Sequence, residues 1–231
     1  MSSQPPRSLG ILNLERGFAP PKPRPGSLLS PATFDFPIII ETVAGAWADI
    51  VIRGDRALEP AYIKSARRLV ERGAIAISSN CGFSIRHQAA VAASVNVPVA
   101  MSSLLLLPAL LRQLPRPAKI ALVTADSNHL SEDLLELDDP AERTRVIIGG
   151  IEGGKLWQNE MKRPPPLTDV ADIETDVAEC VARLRAVHPE IAAILFECTA
   201  FPLVTTAIRR TAKLPVYDAA MLCRMTFESV A

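Results

Sequence analysis

The chain has 231 residues, with 25 Lys and Arg against 25 Asp and Glu, 48% hydrophobic and 22% charged residues. Balanced charge without a basic stripe argues against a nucleic-acid surface, and no apolar run is long and unbroken enough for a membrane span. Residues 1–7 are polar and proline-containing, lack the apolar core of a secretory signal, and are expected to be disordered.

In chain order, strands are expected over Leu9–Leu14, Ile38–Val43, Ala74–Ser78, Val97–Met101, Ile120–Val123, Arg145–Ile148, Ala192–Phe196 and Leu214–Tyr217. Their near-continuous Val, Ile and Leu content suits strands buried on both faces. Helices are expected over Glu59–Arg72, Ser84–Ser94, Ser103–Leu111, Ser131–Leu137, Asp169–Val187 and Thr199–Thr211. Thr168 or Asp169 is placed to cap the helix ending at His188-Pro189, and Arg72-Gly73 to stop the helix before Ala74. Residues 16–32 and 149–166 are rich in Gly and Pro and read as long loops, the second with room for one helical turn. Strands alternating with helices predict an α/β fold built from βαβ units.

Two windows repeat. Ala74 to Cys81 is an apolar strand running into a cysteine and then a helix, and Ile191 to Cys198 is the same. Cys81 lies 17 residues before Pro98 (98 − 81), and Cys198 lies 17 before Pro215 (215 − 198). A chain of two related lobes follows: 8–115 plus 214–231 carrying Cys81, and 116–213 carrying Cys198. Ligand sites of parallel sheets lie beyond the carboxyl ends of the strands, so two facing lobes would bring both cysteines to one cleft.

A thiol at a strand end and helix start meets unpaired backbone N–H groups, which favour the thiolate and can also hold a carboxylate. Two such thiols suit proton removal from a carbon acid on one face and proton return on the other. Candidate binding residues beside them are Ser79, Asn80, Gly82, Ser102, Ser103, Thr124 and Thr199, although Ser and Thr are also ordinary caps. Asp126 and Asp218 close strands in the same way. Cys180, within a helix, and Cys223 read as packing residues, and His87 and His129 as surface or capping residues. With four cysteines, no CxxC and no Cys/His cluster, no metal site is expected; the thiols read as reduced, in a cytoplasmic protein.

The motifs Ser79-Asn80-Cys81-Gly82-Phe83 and Glu197-Cys198-Thr199-Ala200, with the Pro98 and Pro215 strands, resemble those of the aspartate/glutamate racemase superfamily. The segment Pro31-Ala-Thr-Phe-Asp-Phe-Pro37 and the run from Met101 are similar to an uncharacterised branch of it. That superfamily includes hydantoin racemases, maleate isomerases and arylmalonate decarboxylases. The resemblance implies two pseudo-symmetric, Rossmann-like lobes and a cofactor-independent mechanism in which Cys81 and Cys198 are acid and base. Asn80, Ser79 and Thr199 would position the cleft or hold a carboxylate. The racemases' Cys-Asn-Thr and Gly-Cys-Thr-Glu are replaced here by Cys81-Gly82-Phe83 and Glu197-Cys198-Thr199-Ala200, which withholds support for an α-amino substrate.

The expected activity is therefore an isomerase: a racemase or epimerase of a small carboxylate, without cofactor. The alternatives are a maleate-type cis–trans isomerase or a decarboxylase on the same fold, and a non-catalytic small-anion-binding protein. A small carboxylate is the expected partner, with no nucleic acid and no membrane, and a homo-oligomer is open.

Overall fold

Runs of branched apolar residues form eight strands in the computed structural model, which describes residues 7–17 and 22–231. The expectation for 1–7 falls, apart from Arg7, outside the described residues, as does 18–21 within the loop expected at 16–32. The chain divides into two compact units. One comprises the described residues through Ser102 together with Ala220–Ala231, and the other is Ser103–Ala219.

The first unit runs β1 (Ser8–Asn13), β2 (Ile38–Thr42), α1 (Ala48–Arg53), α2 (Glu59–Glu71), β3 (Ala74–Ser79), α3 (Gln88–Ser94) and β4 (Val99–Ala100). Its sheet has the order β2-β1-β3-β4, all parallel. Every residue of β1 is buried, whereas edge strand β2 is only half-buried. α2 buries Tyr62, Ser65, Ala66 and Leu69, an amphipathic spacing, and Gly73 ends the helix turn with φ 97°, a left-handed conformation suited to glycine.

The second unit runs α4 (Leu107–Gln113), β5 (Lys119–Thr124), α5 (Pro140–Arg143), β6 (Val146–Gly150), α6 (Lys155–Glu160), α7 (Val170–Val187), β7 (Ile191–Phe196), α8 (Thr205–Ala212) and β8 (Val216–Tyr217). Its order is β6-β5-β7-β8, again all parallel. α7 presents Ile173, Val177, Cys180, Val181 and Leu184 to the core cluster that includes Ala121, Ile194 and Phe196. Cys180 is thus a core residue, and burial pushes its thiol up to about 11. α9 (Ala219–Glu228) closes the chain, its residues from Ala220 onward belonging to the first unit. There Phe227 stacks on Phe36 at 4.0 Å, Phe36 on Phe34 at 4.9 Å, and Arg224 donates to the Thr33 carbonyl at 2.6 Å. The Pro31–Pro37 segment, a hallmark of the resemblance, therefore packs against this helix.

The two sheets match bond for bond. Ser8 N–H bonds Gly73 O where Lys119 N–H bonds Glu190 O, and each central strand then shifts register at its next residue. Ile77 N–H bonds Pro98 O at 2.9 Å, as Ile194 N–H bonds Pro215 O at 2.9 Å. The expected two-lobed α/β fold with parallel sheets is what the chain adopts.

The helices differ in detail from expectation. Those expected from Ser84, Ser103 and Thr199 begin as short 3-10 segments (Gly82–His87, Ser103–Leu106, Phe201–Leu203), and 131–137 holds only the 3-10 segment Glu132–Leu135. Asp169 caps α7 by position, but its side chain makes no capping bond. α1, α5 and α9 were not anticipated. No helix among the described residues is long and apolar enough to cross a membrane.

Candidate active site

Cys81 and Cys198 occupy the same corner of their units. Each follows an inner strand, β3 or β7, and each carbonyl accepts an i→i+3 bond at 3.1 Å, from Ser84 N–H and from Phe201 N–H. Immediately before the cysteine, Asn80 N–H bonds Leu12 O at 2.8 Å, and Glu197 N–H bonds Val123 O at 2.9 Å. Cys81 is 9% exposed with an extended backbone (φ −158°, ψ 124°) at the cap of its 3-10 turn, while Cys198 is half-buried. The four cysteines form no disulfide.

In the first unit, Ser79, Asn80, Cys81 and Gly82 stand together at the end of β3. Asn80 Nδ2 donates to Asn13 Oδ1 at 3.0 Å, joining the ends of β3 and β1. Behind them lies a buried hydroxyl network. Ser79 Oγ approaches Ser84 Oγ at 2.9 Å, and Ser84 Oγ lies 2.9 Å from Tyr62 Oη. Burial raises the Tyr62 phenol well above its ordinary value, and the negative charge of Cys81 adds to that. Tyr62 stacks on His87 at 4.6 Å, and His87 is 2% exposed. This corrects the surface reading of His87: the ring is packed in the core, where burial lowers its basicity. Ser102, after β4, is buried.

In the second unit, Thr124 closes β5 and donates its hydroxyl to Glu197 Oε2 at 2.8 Å, joining the ends of β5 and β7 beside Cys198 and buried Thr199. Counting along the repeat, this pair replaces Asn13 with Asn80. Phe196 and Phe201, edge to face at 5.3 Å, stand where the first unit has Ser79 and Ser84. Ser103 Oγ donates to Phe196 O at 2.6 Å, so its hydroxyl is engaged by the β7 backbone. Asp126 accepts from Trp157 Nε1 at 3.1 Å and from Asn128 N–H at 3.0 Å, and lies 3.2 Å from His129 Nδ1. Burial pushes its carboxyl up, but these donors outweigh burial and hold it below the ordinary value. Glu152 accepts from Ser127 N–H, so this bond and that of Trp157 tie the loop at 149–166, which contains α6, to the end of β5, beside the bond from Ile151 N–H to Thr124 O at 3.3 Å. Asp218, after β8, accepts from Thr205 Oγ1 at 2.6 Å.

Sequence reading missed Asn13, Tyr62, Ser84 and the pairing of Glu197 with Thr124. Asn13 had a signal, since it is a polar residue ending an apolar strand. Tyr62 had none. Among the described residues no cluster of three His, Cys, Asp or Glu is placed to hold a metal.

No family model matches the chain. A dimethylsulfoniopropionate lyase of Durusdinium sp. clade D is 32% identical over 222 residues, covering 92% of this chain and 71% of that protein. Dimethylsulfoniopropionate lyase 7 of Emiliania huxleyi (strain CCMP1516) is 29% identical over 229 residues, covering 94% and 65%. Among solved structures, glutamate racemase from Francisella tularensis subsp. tularensis SCHU S4 in complex with D-glutamate matches with TM-score 0.60 at 15% identity, covering 98% and 81%. Unliganded arylmalonate decarboxylase matches with TM-score 0.55 at 17% identity, covering 97% and 92%. The structural likeness supports the fold of the Asp/Glu racemase-like superfamily. The sequence relatives correct the expected activity: they are named lyases, which overturns the reading as an isomerase of the racemase or epimerase type.

Proposed function

Because the chain belongs to the family of the dimethylsulfoniopropionate lyases, within the Asp/Glu racemase-like superfamily, we propose that it is a lyase that breaks a carbon–sulfur bond β to a small carboxylate, with dimethylsulfoniopropionate as substrate. The observation that carries this reading is the 32% identity spread over 92% of the chain. The chain spans 71% and 65% of the two relatives' lengths.

The strand-end cysteines supply the chemistry such a reaction needs. A proton on the carbon next to a carboxylate is held firmly, so its removal by a positioned thiolate relies on donors that offset the carboxylate charge and on the departing sulfonium, which takes up the electron pair. The released electron pair forms the carbon–carbon double bond, and the bond to the sulfonium breaks with its electrons going to sulfur. Acrylate and neutral dimethyl sulfide leave, the thiolate has become a thiol, and that proton passes to solvent. Charge balances, since a zwitterion and a thiolate yield a thiol, a carboxylate and a neutral sulfide. A racemase begins with the same proton removal. A leaving group on the next carbon diverts the electron pair before a proton returns, so one corner chemistry serves both outcomes.

In this reading Cys81 and Cys198 are the acid–base groups. Ser79, Asn80, Gly82, Ser102, Thr124 and Thr199 shape or line their corners, and Ser103 anchors β7. The test is purified protein incubated with dimethylsulfoniopropionate, with dimethyl sulfide measured in the headspace and acrylate in solution. Equimolar release is expected, with a loss of about 10²–10⁴-fold in whichever of Cys81→Ser and Cys198→Ser removes the base. No release by the parent protein, or full release by both variants, would overturn the reading.

A further inference from the structure

The repeat keeps the geometry of the two cysteine corners and changes their charge. Asn80, before Cys81, is a neutral amide bonded to neutral Asn13. Glu197, before Cys198, is a 1% exposed acidic residue whose carboxyl accepts from the Thr124 hydroxyl. Glu197 and Cys198 are neighbours in the chain, with Cα atoms about 3.8 Å apart, so a charge on Glu197 lies well within a Debye length of the Cys198 thiol. The other charged groups at this end of the second sheet point the same way. Asp126, Glu152 and Asp218 follow β5, β6 and β8, and the matching positions after β1, β2 and β4 hold Glu15, Ala44 and Met101. Against these stands Arg183, whose guanidinium donates to Gly150 O at 3.0 Å, and the His129 ring lies 3.2 Å from Asp126.

We propose that Glu197, held by Thr124, makes the two cysteines unequal, its carboxylate keeping Cys198 as the thiol while Cys81 carries the thiolate. An elimination runs in one direction and needs one base, whereas a racemase needs both thiols to exchange roles. Glu197 is thus a positioning residue that acts through Cys198. The assignment of Cys81 as the base rests on the lyase reading; the inequality of the thiols does not.

The experiment measures the pH dependence of iodoacetamide alkylation at each cysteine of the intact protein, by peptide mass spectrometry, because only the thiolate reacts. Midpoints, rather than rates, separate ionisation from access. The parent protein is expected to alkylate Cys81 with a midpoint below that of Cys198, with buried Cys180 and Cys223 as slow internal controls. Glu197→Gln should lower the Cys198 midpoint by about one pH unit, roughly tenfold in thiolate at neutral pH, and leave Cys81 in place. Asn80→Asp, which copies the carboxylate into the other corner, should raise the Cys81 midpoint. A parent midpoint for Cys198 at or below that of Cys81 overturns the proposal without any variant, and so does an unmoved Cys198 in a folded Glu197→Gln protein. Absence of acrylate formation would instead count against the lyase reading, and the two failures are separately visible.

Discussion

The Tyr62 hydroxyl lies 2.9 Å from Ser84 Oγ, and both side chains are essentially fully buried beneath the corner that carries Cys81. Ser84 is shared, because Ser79 Oγ also approaches it at 2.9 Å. Removing the phenol oxygen by Tyr62→Phe should cost about 0.5–1.5 kcal/mol in urea unfolding, the net value of one buried hydrogen bond. Ser84→Ala removes the common partner of two buried hydroxyls and should cost more, about 1–3 kcal/mol. Equal losses in the two variants would show that Ser79 does not depend on Ser84.

His87 stacks on the same phenol, and burial makes it a weaker base than in the unfolded chain. The folded state therefore resists protonating it. As pH falls below the ordinary value of 6.5, the unfolded chain takes up a proton that the folded chain refuses, and stability is lost. His87→Phe keeps a ring in the stack and removes the titration. Its melting temperature should fall less between pH 7.5 and 5 than that of the parent, as read by parallel thermal scans. Equal slopes would mean that His87 does not titrate in this window.

Gly149 lies in β6 where a side chain has no room. A Cβ there would sit 2.8 and 2.9 Å from the two Leu184 Cδ atoms and 3.0 Å from Cys180 Sγ. Gly149→Ala should destabilise by about 1–3 kcal/mol through overpacking. Combined with Leu184→Val the loss should fall short of the sum of the two single effects, because the smaller valine relieves the clash. Additive losses would place the strain elsewhere.

The two sheets were legible because their inner strands are buried on both faces and read as unbroken apolar runs such as Ile120–Val123 or Ala192–Phe196. The repeat was legible because cysteine is rare and recurs at one corner. What followed the cysteines was harder to read. Apolar periodicity continues from Ser84 to Ser94, but the bond from Ser84 N–H to Cys81 O is i→i+3, and the first turn winds as 3-10. α9 escaped because its buried Leu222, Cys223, Thr226 and Phe227 are interleaved with exposed Met221 and Met225, which blur the stripe. The site partners Asn13 and Tyr62 lie 67 and 22 residues from the groups they bond, and local pattern carries no trace of such pairings. The relatives' lyase name was not legible in the sequence for a chemical reason: in the proposed mechanism an elimination begins with the same proton removal as a racemisation, so the residues around Cys81 and Cys198 do not separate the two.

Trp157 ties the segment around α6 to the end of β5 through its 3.1 Å bond to Asp126 Oδ2. That bond is among the donors that hold the Asp126 carboxyl below its ordinary value despite burial. A carboxyl depressed in the folded state contributes stability that is present above the unfolded value and is lost as pH falls through the folded one. Trp157→Phe removes the donor and keeps most of the ring. The Asp126 carboxyl should then titrate at higher pH, followed by carboxyl-carbon NMR, and acid unfolding should set in earlier. The same variant should be nicked faster by protease between Glu160 and Thr168, because a tie to the end of β5 is gone and the bonds of Ser127 to Glu152 and of Ile151 to Thr124 lie at the other end of the segment. Faster nicking with an unmoved Asp126 titration would mean that Trp157 holds this segment by packing rather than by its hydrogen bond.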